Sequence, residues 1–151
     1  MTFNLFPVAH LLFSENEQKR VVDAIQTAEL NTSGEIRVHV EHHCPETDVL
    51  VRAQQVFAQL NMNRTELKNG VLFYVAVTDR KFAVLGDKGI NERVPTGFWD
   101  EVRDVLREHF KKESFSEGLS KGITLAGEQL KAFFPRQNND SNELSDDISF
   151  G

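Results

Sequence analysis

Apolar positions along the chain recur with two periods, and the switches between them mark the elements. Val21, Ala24, Ile25 and Ala28 recur at helical spacing. Ser14 and Glu17 precede them as a capping box, each side chain satisfying an amide at the helix start. Asn31 to Gly34 ends this helix. "SGEIRVHVEHH", Ser33 to His43, then alternates strictly: Ile36, Val38 and Val40 fall on one face, and Glu35, Arg37, His39 and Glu41 on the other. This predicts a first strand over Glu35 to Glu41 with a polar face whose use is open.

Thr47 is placed to cap a second helix, in which Val49, Ala53, Val56 and Leu60 form a stripe widened by Leu50 and Phe57. A polar loop ends at Gly70. "VLFYVAV" is almost wholly apolar, as a strand buried on both faces would be. The short "TDRK" joins it to a third strand, "KFAVLG", as a hairpin. Strands one and two flank a helix and are expected to be parallel through a right-handed crossover, with strand three antiparallel. "GDKGINERVP" reads as a loop leaving the sheet. A third helix follows over residues 97–112, with Phe98, Val102, Val105 and His109 on one stripe. A fourth covers residues 116–134 and ends at Pro135. His109 reads as a packed side chain, and Gly118, Gly122 and Gly127 as points of close helix packing.

Composition narrows the classes. The 151 residues suit one domain, assigned to 1–135, with 136–151 as a loosely ordered acidic tail whose Ile148 and Phe150 could enter a groove. The 17 basic and 23 acidic residues give a charge of −6 with no basic block, which argues against nucleic acid as a partner. A single cysteine, Cys44, permits no internal disulfide. With no signal-peptide pattern and no apolar run near the roughly 20 residues of a membrane span, a cytoplasmic monomer is expected. Phe3, Leu5, Phe6, Leu11, Leu12 and Phe13 read as a segment docked on the core.

Nucleotide-binding glycine motifs, a nucleophile elbow and H-E-x-x-H are absent. His39, His42, His43 and Cys44 do not make a zinc site, because adjacent strand residues face opposite ways and no second Cys/His pair closes the set. Oxygen ligands are more plentiful. The antiparallel third strand brings Gly86 and Asp87 beside the starts of strands one and two, near Glu35 and Asn69, with Asn91 and Glu92 following. Glu41, His42, His43, Asp48, Asp79 and Arg80 gather at the other end. Hard cations take several oxygen ligands, often from a loop that glycine lets turn sharply. The simpler account of the loop is that Gly86 and Gly89 supply positive φ. Ligands of open α/β sheets usually sit at the carboxyl ends of parallel strands, which favours the Glu41/Asp79 end.

"TSGEIRVHV" at Thr32 to Val40, "NGVLFYVAVTDRKFAVLGDKGI" at Asn69 to Ile90 and "FSEGLSKGI" at Phe115 to Ile123 occur in an order that resembles the TPM domain family. That family includes thylakoid-lumen acid phosphatases and photosystem-repair proteins. The resemblance runs from Ser14 to Phe134. It implies an α/β fold, a three-layer α/β/α sandwich with a small mixed sheet. It also implies a divalent-cation site, calcium in some members, and phosphatase activity in one branch. It favours the Asp87 end and assigns Asp79 and Arg80 to the hairpin turn. The phosphatase branch's charge set is not reproduced: Lys68 stands where an acid often precedes Asn-Gly, "RVPTGFW" lacks the following acid, and the glycines are spaced as Gly86-Asp-Lys-Gly89.

The resulting expectation is a non-catalytic module of the cytoplasm that binds a divalent cation, calcium, through Asp87, Glu35 and Asn91, or binds a protein partner. The alternative is a metal-assisted acid phosphatase hydrolysing phosphate monoesters, with Arg37 or Lys68 steadying the phosphate.

Overall fold

A computed structural model describes residues 13–137 and 143–151. The elements are α1 (Glu15–Glu29), β1 (Glu35–Glu41), α2 (Val49–Gln59), a 3₁₀ turn (Met62–Arg64), β2 (Gly70–Ala76), β3 (Lys81–Gly86), α3 (Lys88–Arg93), α4 (Asp100–Lys111), α5 (Phe115–Leu130) and β4 (Ser149–Phe150). The sheet runs β3-β2-β1-β4. β1 pairs parallel with β2, β2 antiparallel with β3, as the loop lengths require. This is the expected α/β sandwich with a mixed sheet.

Strand alternation divides the interior. Ile36, Val38 and Val40 of β1, Val71, Phe73 and Val75 of β2, and Val84 of β3 belong to a core with α1, α4 and α5. Leu72, Tyr74, Ala76 and Ala83 face the other way and pack with Ala53 and Val56 of α2, Met62 and Leu144. All seven residues of β2 are buried. The capping box of α1 forms as read, with the Glu17 amide donating to Ser14 Oγ at 3.1 Å and the Ser14 amide to Glu17 Oε1 at 2.8 Å. Gly118 and Gly127 mark close helix packing, since a Cβ on either would lie 2.7 Å from the Cβ of His109 or Ala28. His109 is half-buried and its Nδ1 bonds the Val105 carbonyl at 2.8 Å. Among the described residues no helix is long and apolar enough to cross a membrane.

Several boundaries differ from expectation. Asp48, not Thr47, caps α2, its carboxylate accepting from the Leu50 amide at 2.9 Å. Helix α5 stops at Leu130 because the Phe134 carbonyl is taken by the Ser33 amide and the Thr32 hydroxyl, which draws residues 131–135 across to the start of β1. The loop after β3 contains α3, too short to show a periodic apolar stripe. Gly86 and Gly89 do not have positive φ; among the described glycines Gly97 alone does. They are needed for close approach: a Cβ on Gly89 would sit 2.2 Å from the Leu67 carbonyl oxygen, and one on Gly86 2.9 Å from Ile90.

Residues 143–151, read as part of a loose tail, lie along β1. β4 pairs parallel with it, His39 opposite Ser149 and Val40 opposite Phe150, and the Gly151 amide donates to the Val40 carbonyl at 2.9 Å. Leu144 enters the smaller core, and Ile148 and Phe150 pack against the larger one. Of the N-terminal apolar segment, Phe13 is buried in the core, and Phe3, Leu5, Phe6, Leu11 and Leu12 lie outside the described residues.

Gly89→Ala must displace backbone, whereas a Cβ on Gly34 would meet its nearest neighbour at an ordinary 3.4 Å. Urea unfolding is expected to show a loss of about 1–3 kcal/mol for Gly89→Ala and a much smaller change for Gly34→Ala.

Candidate cation site

Asp87 follows β3 directly and caps α3. Its amide donates to the Gly70 carbonyl at 2.9 Å, fixing it to β2, and its Oδ1 accepts from the Lys88 amide at 2.7 Å. Its Oδ2 is buried and has no hydrogen-bond partner among the described residues. Asn91 lies one turn on, its Nδ2 donating to the Gly86 carbonyl at 3.1 Å. That bond leaves the side-chain carbonyl oxygen of Asn91 uncommitted. Asp87, Asn91 and Glu92 line a cleft of about 450 Å³ whose opposite wall is Gln54 and Phe57 of α2.

Glu35 does not join them. It pairs with Gly70 on β2, so Gly70 separates it from Asp87 across the sheet. The Met62 carbonyl lies 3.2 Å from where a Cβ on Gly70 would be, so the Met62–Arg64 turn stands over the gap. Glu35 Oε1 instead accepts from the Glu143 and Leu144 amides at 2.6 and 2.7 Å. Among the described residues no group of three or more His, Cys, Asp or Glu is arranged to hold a metal. Of the three expected ligands, the structure gathers Asp87 and Asn91 and assigns Glu35 to residues 143–151.

His39 and Glu41, on the same polar face of β1, are buried too. Glu41 is 4% exposed and His39 5%. Glu41 Oε1 accepts from Arg52 at 2.8 Å and faces His39 Nε2 at 3.2 Å; its Oε2 accepts from Arg52 Nε at 2.8 Å and from the Tyr74 hydroxyl. His39 Nδ1 is 3.0 Å from Ser149 Oγ. Arg37 is half-buried; burial lowers its basicity, and the Asp147 charge opposes that shift. At the strand exit, His42 Nδ1 lies 2.7 Å from Thr78 Oγ1, while Asp79 holds His43 Nδ1 at 3.0 Å and accepts from the Cys44 amide at 2.7 Å. These residues tie β1 to the hairpin, and Asp79 and Arg80 are turn residues as expected. Arg52, Tyr74, Glu143 and Asp146 were not among the sequence candidates. The legible signal for them was the buried half of an alternating strand together with Leu144, Ile148 and Phe150 spaced through the acidic segment.

A TPM domain model matches residues 9–129. The chain belongs to the TPM domain family. It is similar to the BA42 protein from the psychrophilic bacterium Bizionia argentinensis, with 49% identity over 92% of this chain and 95% of that one, at a TM-score of 0.87. The N-terminal domain of a protein from P. gingivalis shares the fold at 16% identity, covering 85% and 83% of the two chains at a TM-score of 0.67. The N-terminal domain of the cg2496 protein from Corynebacterium glutamicum does so at 14%, covering 88% and 81% at a TM-score of 0.61. A comparison with curated proteins returns no match.

Electrostatics of this TPM domain follow from which acids are paired. Burial would raise Glu41, but Arg52, His39 and Tyr74 outweigh it and hold its carboxyl down at about 2. Glu29, whose Oε2 accepts from the Ile36 amide at 3.0 Å, is pushed up to about 9 by burial and by the side chain of Asp146. Glu35 is raised to about 7 by burial and the nearby Glu143 carboxylate, against the two amides that lower it. The signs oppose. Glu41 contributes stability that is present above about 4.5 and lost as pH falls toward 2. Folded Glu29 and Glu35 keep protons that the unfolded chain releases above about 4.5, so stability falls as pH rises through 7 and on to 9.

Urea unfolding against pH is therefore expected to decline between pH 5 and 9, with Glu29→Gln removing most of the decline above pH 7. An unchanged slope in that variant contradicts the assignment. Arg52→Ala, which leaves the Glu41 charge buried with fewer partners, is expected to cost about 3 kcal/mol at pH 7.

Proposed function

We propose that this TPM domain is a non-catalytic binding module that takes a hard divalent cation, calcium, at Asp87 and Asn91. The observation that carries the reading is the buried Oδ2 of Asp87, which has no partner among the described residues and belongs to a residue on the wall of an open cleft. A buried carboxylate oxygen left without a donor is costly, and a cation relieves that cost. Calcium tolerates irregular oxygen sets completed by water, which suits one carboxylate, one amide oxygen and neighbouring carbonyls. With so few charged ligands the affinity belongs in the millimolar range of open sites. Glu35 is not a ligand in this reading.

Phosphatase chemistry is the second reading and is less well supported. It needs a cationic side chain to steady the phosphate beside the metal. Arg37 is half-buried, with Asp147 as its nearby counter-charge, and the Lys68 ammonium donates to the Asn63 carbonyl at 2.5 Å.

Calcium titration followed by amide NMR is expected to move residues 86–92 with millimolar saturation. Asp87→Asn should weaken the response by about tenfold, and Glu35→Gln should leave it in place. Absence of calcium-dependent shifts in 86–92 overturns the cation site. Hydrolysis of p-nitrophenyl phosphate that Asp87→Asn abolishes in a folded protein would favour the phosphatase instead.

A further inference from the structure

The sheet has two edges, and the chain treats them differently. β4 covers the β1 edge. Among the described residues no strand pairs with the outer edge of β3, which ends the sheet. Along that edge runs a groove of about 410 Å³ between the two helical layers. Its α2 wall is apolar, Val49 and Leu50, and Leu50 is 47% exposed. Its α4 wall is basic, Arg103 and Arg107, with Arg107 over the ring of Phe82 at 5.9 Å. Arg80 and Lys81 stand at one end, and no acidic residue lines the groove. A chain of net charge −6 thus gathers four cations beside an unpaired strand edge.

We propose that this edge binds an acidic, extended peptide segment of a partner protein by strand addition to β3. This deepens the binding-module reading by naming a partner chemistry, and it uses the end of β3 away from Asp87. Strand addition satisfies the free backbone groups of an edge, and alternate side chains of the added strand enter the two flanking walls. Here one set meets Val49 and Leu50 and the other meets Arg103 and Arg107, so the fitting segment alternates apolar and acidic residues.

The cations already have partners, but exposed ones. Arg80 pairs with Glu113 at 2.7 Å, Arg107 with Asp104 at 2.9 Å, and Arg103 lies 3.7 Å from Asp100, all at the solvent surface. Such pairs hold weakly and exchange readily for a better placed carboxylate. Charge also selects among occupants. Two copies joined edge to edge through β3 would set these cations against one another, a device that edge strands use to avoid self-pairing. Residues 1–12 of this chain contain no acidic side chain, and 143–151 occupy the opposite edge.

The test uses the whole chain and a fluorescein-labelled peptide of alternating Glu and Val, read by anisotropy and by amide NMR. Saturable binding that weakens with salt and shifts residues 81–86 is expected. Arg103→Glu with Arg107→Glu should weaken it by about tenfold, and Leu50→Asp should weaken it independently. N-methylation of alternate peptide amides should abolish it. Both variants change exposed or half-exposed side chains, and unchanged amide NMR positions in the buried β2 strand, residues 70–76, serve as their folding control. No saturable shift in 81–86 overturns the proposal. Equal binding of the Lys-for-Glu peptide, dimerisation through β3, or binding to phosphatidylserine vesicles without peptide binding overturns it too. Loss of the calcium response with peptide binding intact overturns only the cation site.

Discussion

The polar face of β1 must be satisfied inside the protein, and much of the architecture answers that constraint. Glu35, His39 and Glu41 are each nearly inaccessible to water. A carboxylate or imidazole in that position is costly unless it is bonded. Glu41 draws on Arg52 from α2 and Tyr74 from β2. Glu35 takes two backbone amides from residues 143 and 144, and His39 meets Ser149. The smaller helical layer and the last strand are therefore placed by hydrogen bonding to one strand as much as by apolar burial. The larger layer, α1 with α4 and α5, rests on apolar packing against Ile36, Val38 and Val40 from the same strand.

That division explains what was readable from the sequence. The elements of the large layer rest on period and propensity, which are local signals: the box at Ser14 and Glu17, the stripe of α1 and the uniform apolarity of β2. The TPM resemblance rests on the same stretches and fixes the sandwich. What escaped prediction depends on distant partners. Thr47 and Asp48 are both good caps, and only the position of α2 against β1 decides between them. Residues 131–134 look helical, but Thr32 and Ser33 both donate to the Phe134 carbonyl and draw this stretch to the start of β1. Residues 143–151 look like an acidic tail because their charges are what a solvated segment carries. Instead Leu144 is buried in the smaller core, the amides of residues 143 and 144 hold Glu35, and Asp146 interacts with Glu29.

The candidate site was legible to the same degree. Topology brings the end of β3 to the starts of β1 and β2, and the TPM resemblance favours that end over the Glu41/Asp79 end, so Asp87 and Asn91 could be named. Glu35 shares that end of the sheet, in register with Gly70, yet proximity along an edge does not decide what a side chain bonds. The amides of Glu143 and Leu144 were available to it, and the turn at Met62 stands between it and the cleft. Gly86 and Gly89 show the same ambiguity. Both a positive φ and a close backbone approach demand glycine, and a sequence does not distinguish them.

The two edges of the sheet give the last step. At the β1 edge, an acidic segment with apolar residues at Leu144, Ile148 and Phe150 lies against a strand bearing Arg37, and its register is fixed by side chains on both faces. At the β3 edge the complementary surface recurs without a strand: a basic wall from α4, an apolar wall from α2 and unpaired backbone between them. The first edge shows that this sheet accepts a parallel strand from a segment whose apolar side chains enter both layers, Leu144 the smaller and Ile148 and Phe150 the larger. The second differs in that its cations are held only by exposed partners. An acidic strand arriving there would replace weak surface pairs with contacts shielded between two helices, where the same charges attract more strongly because less water screens them. Self-pairing gains nothing of the kind, because it brings cation to cation. The charge pattern that protects β3 from its own copies is the one that selects an acidic partner.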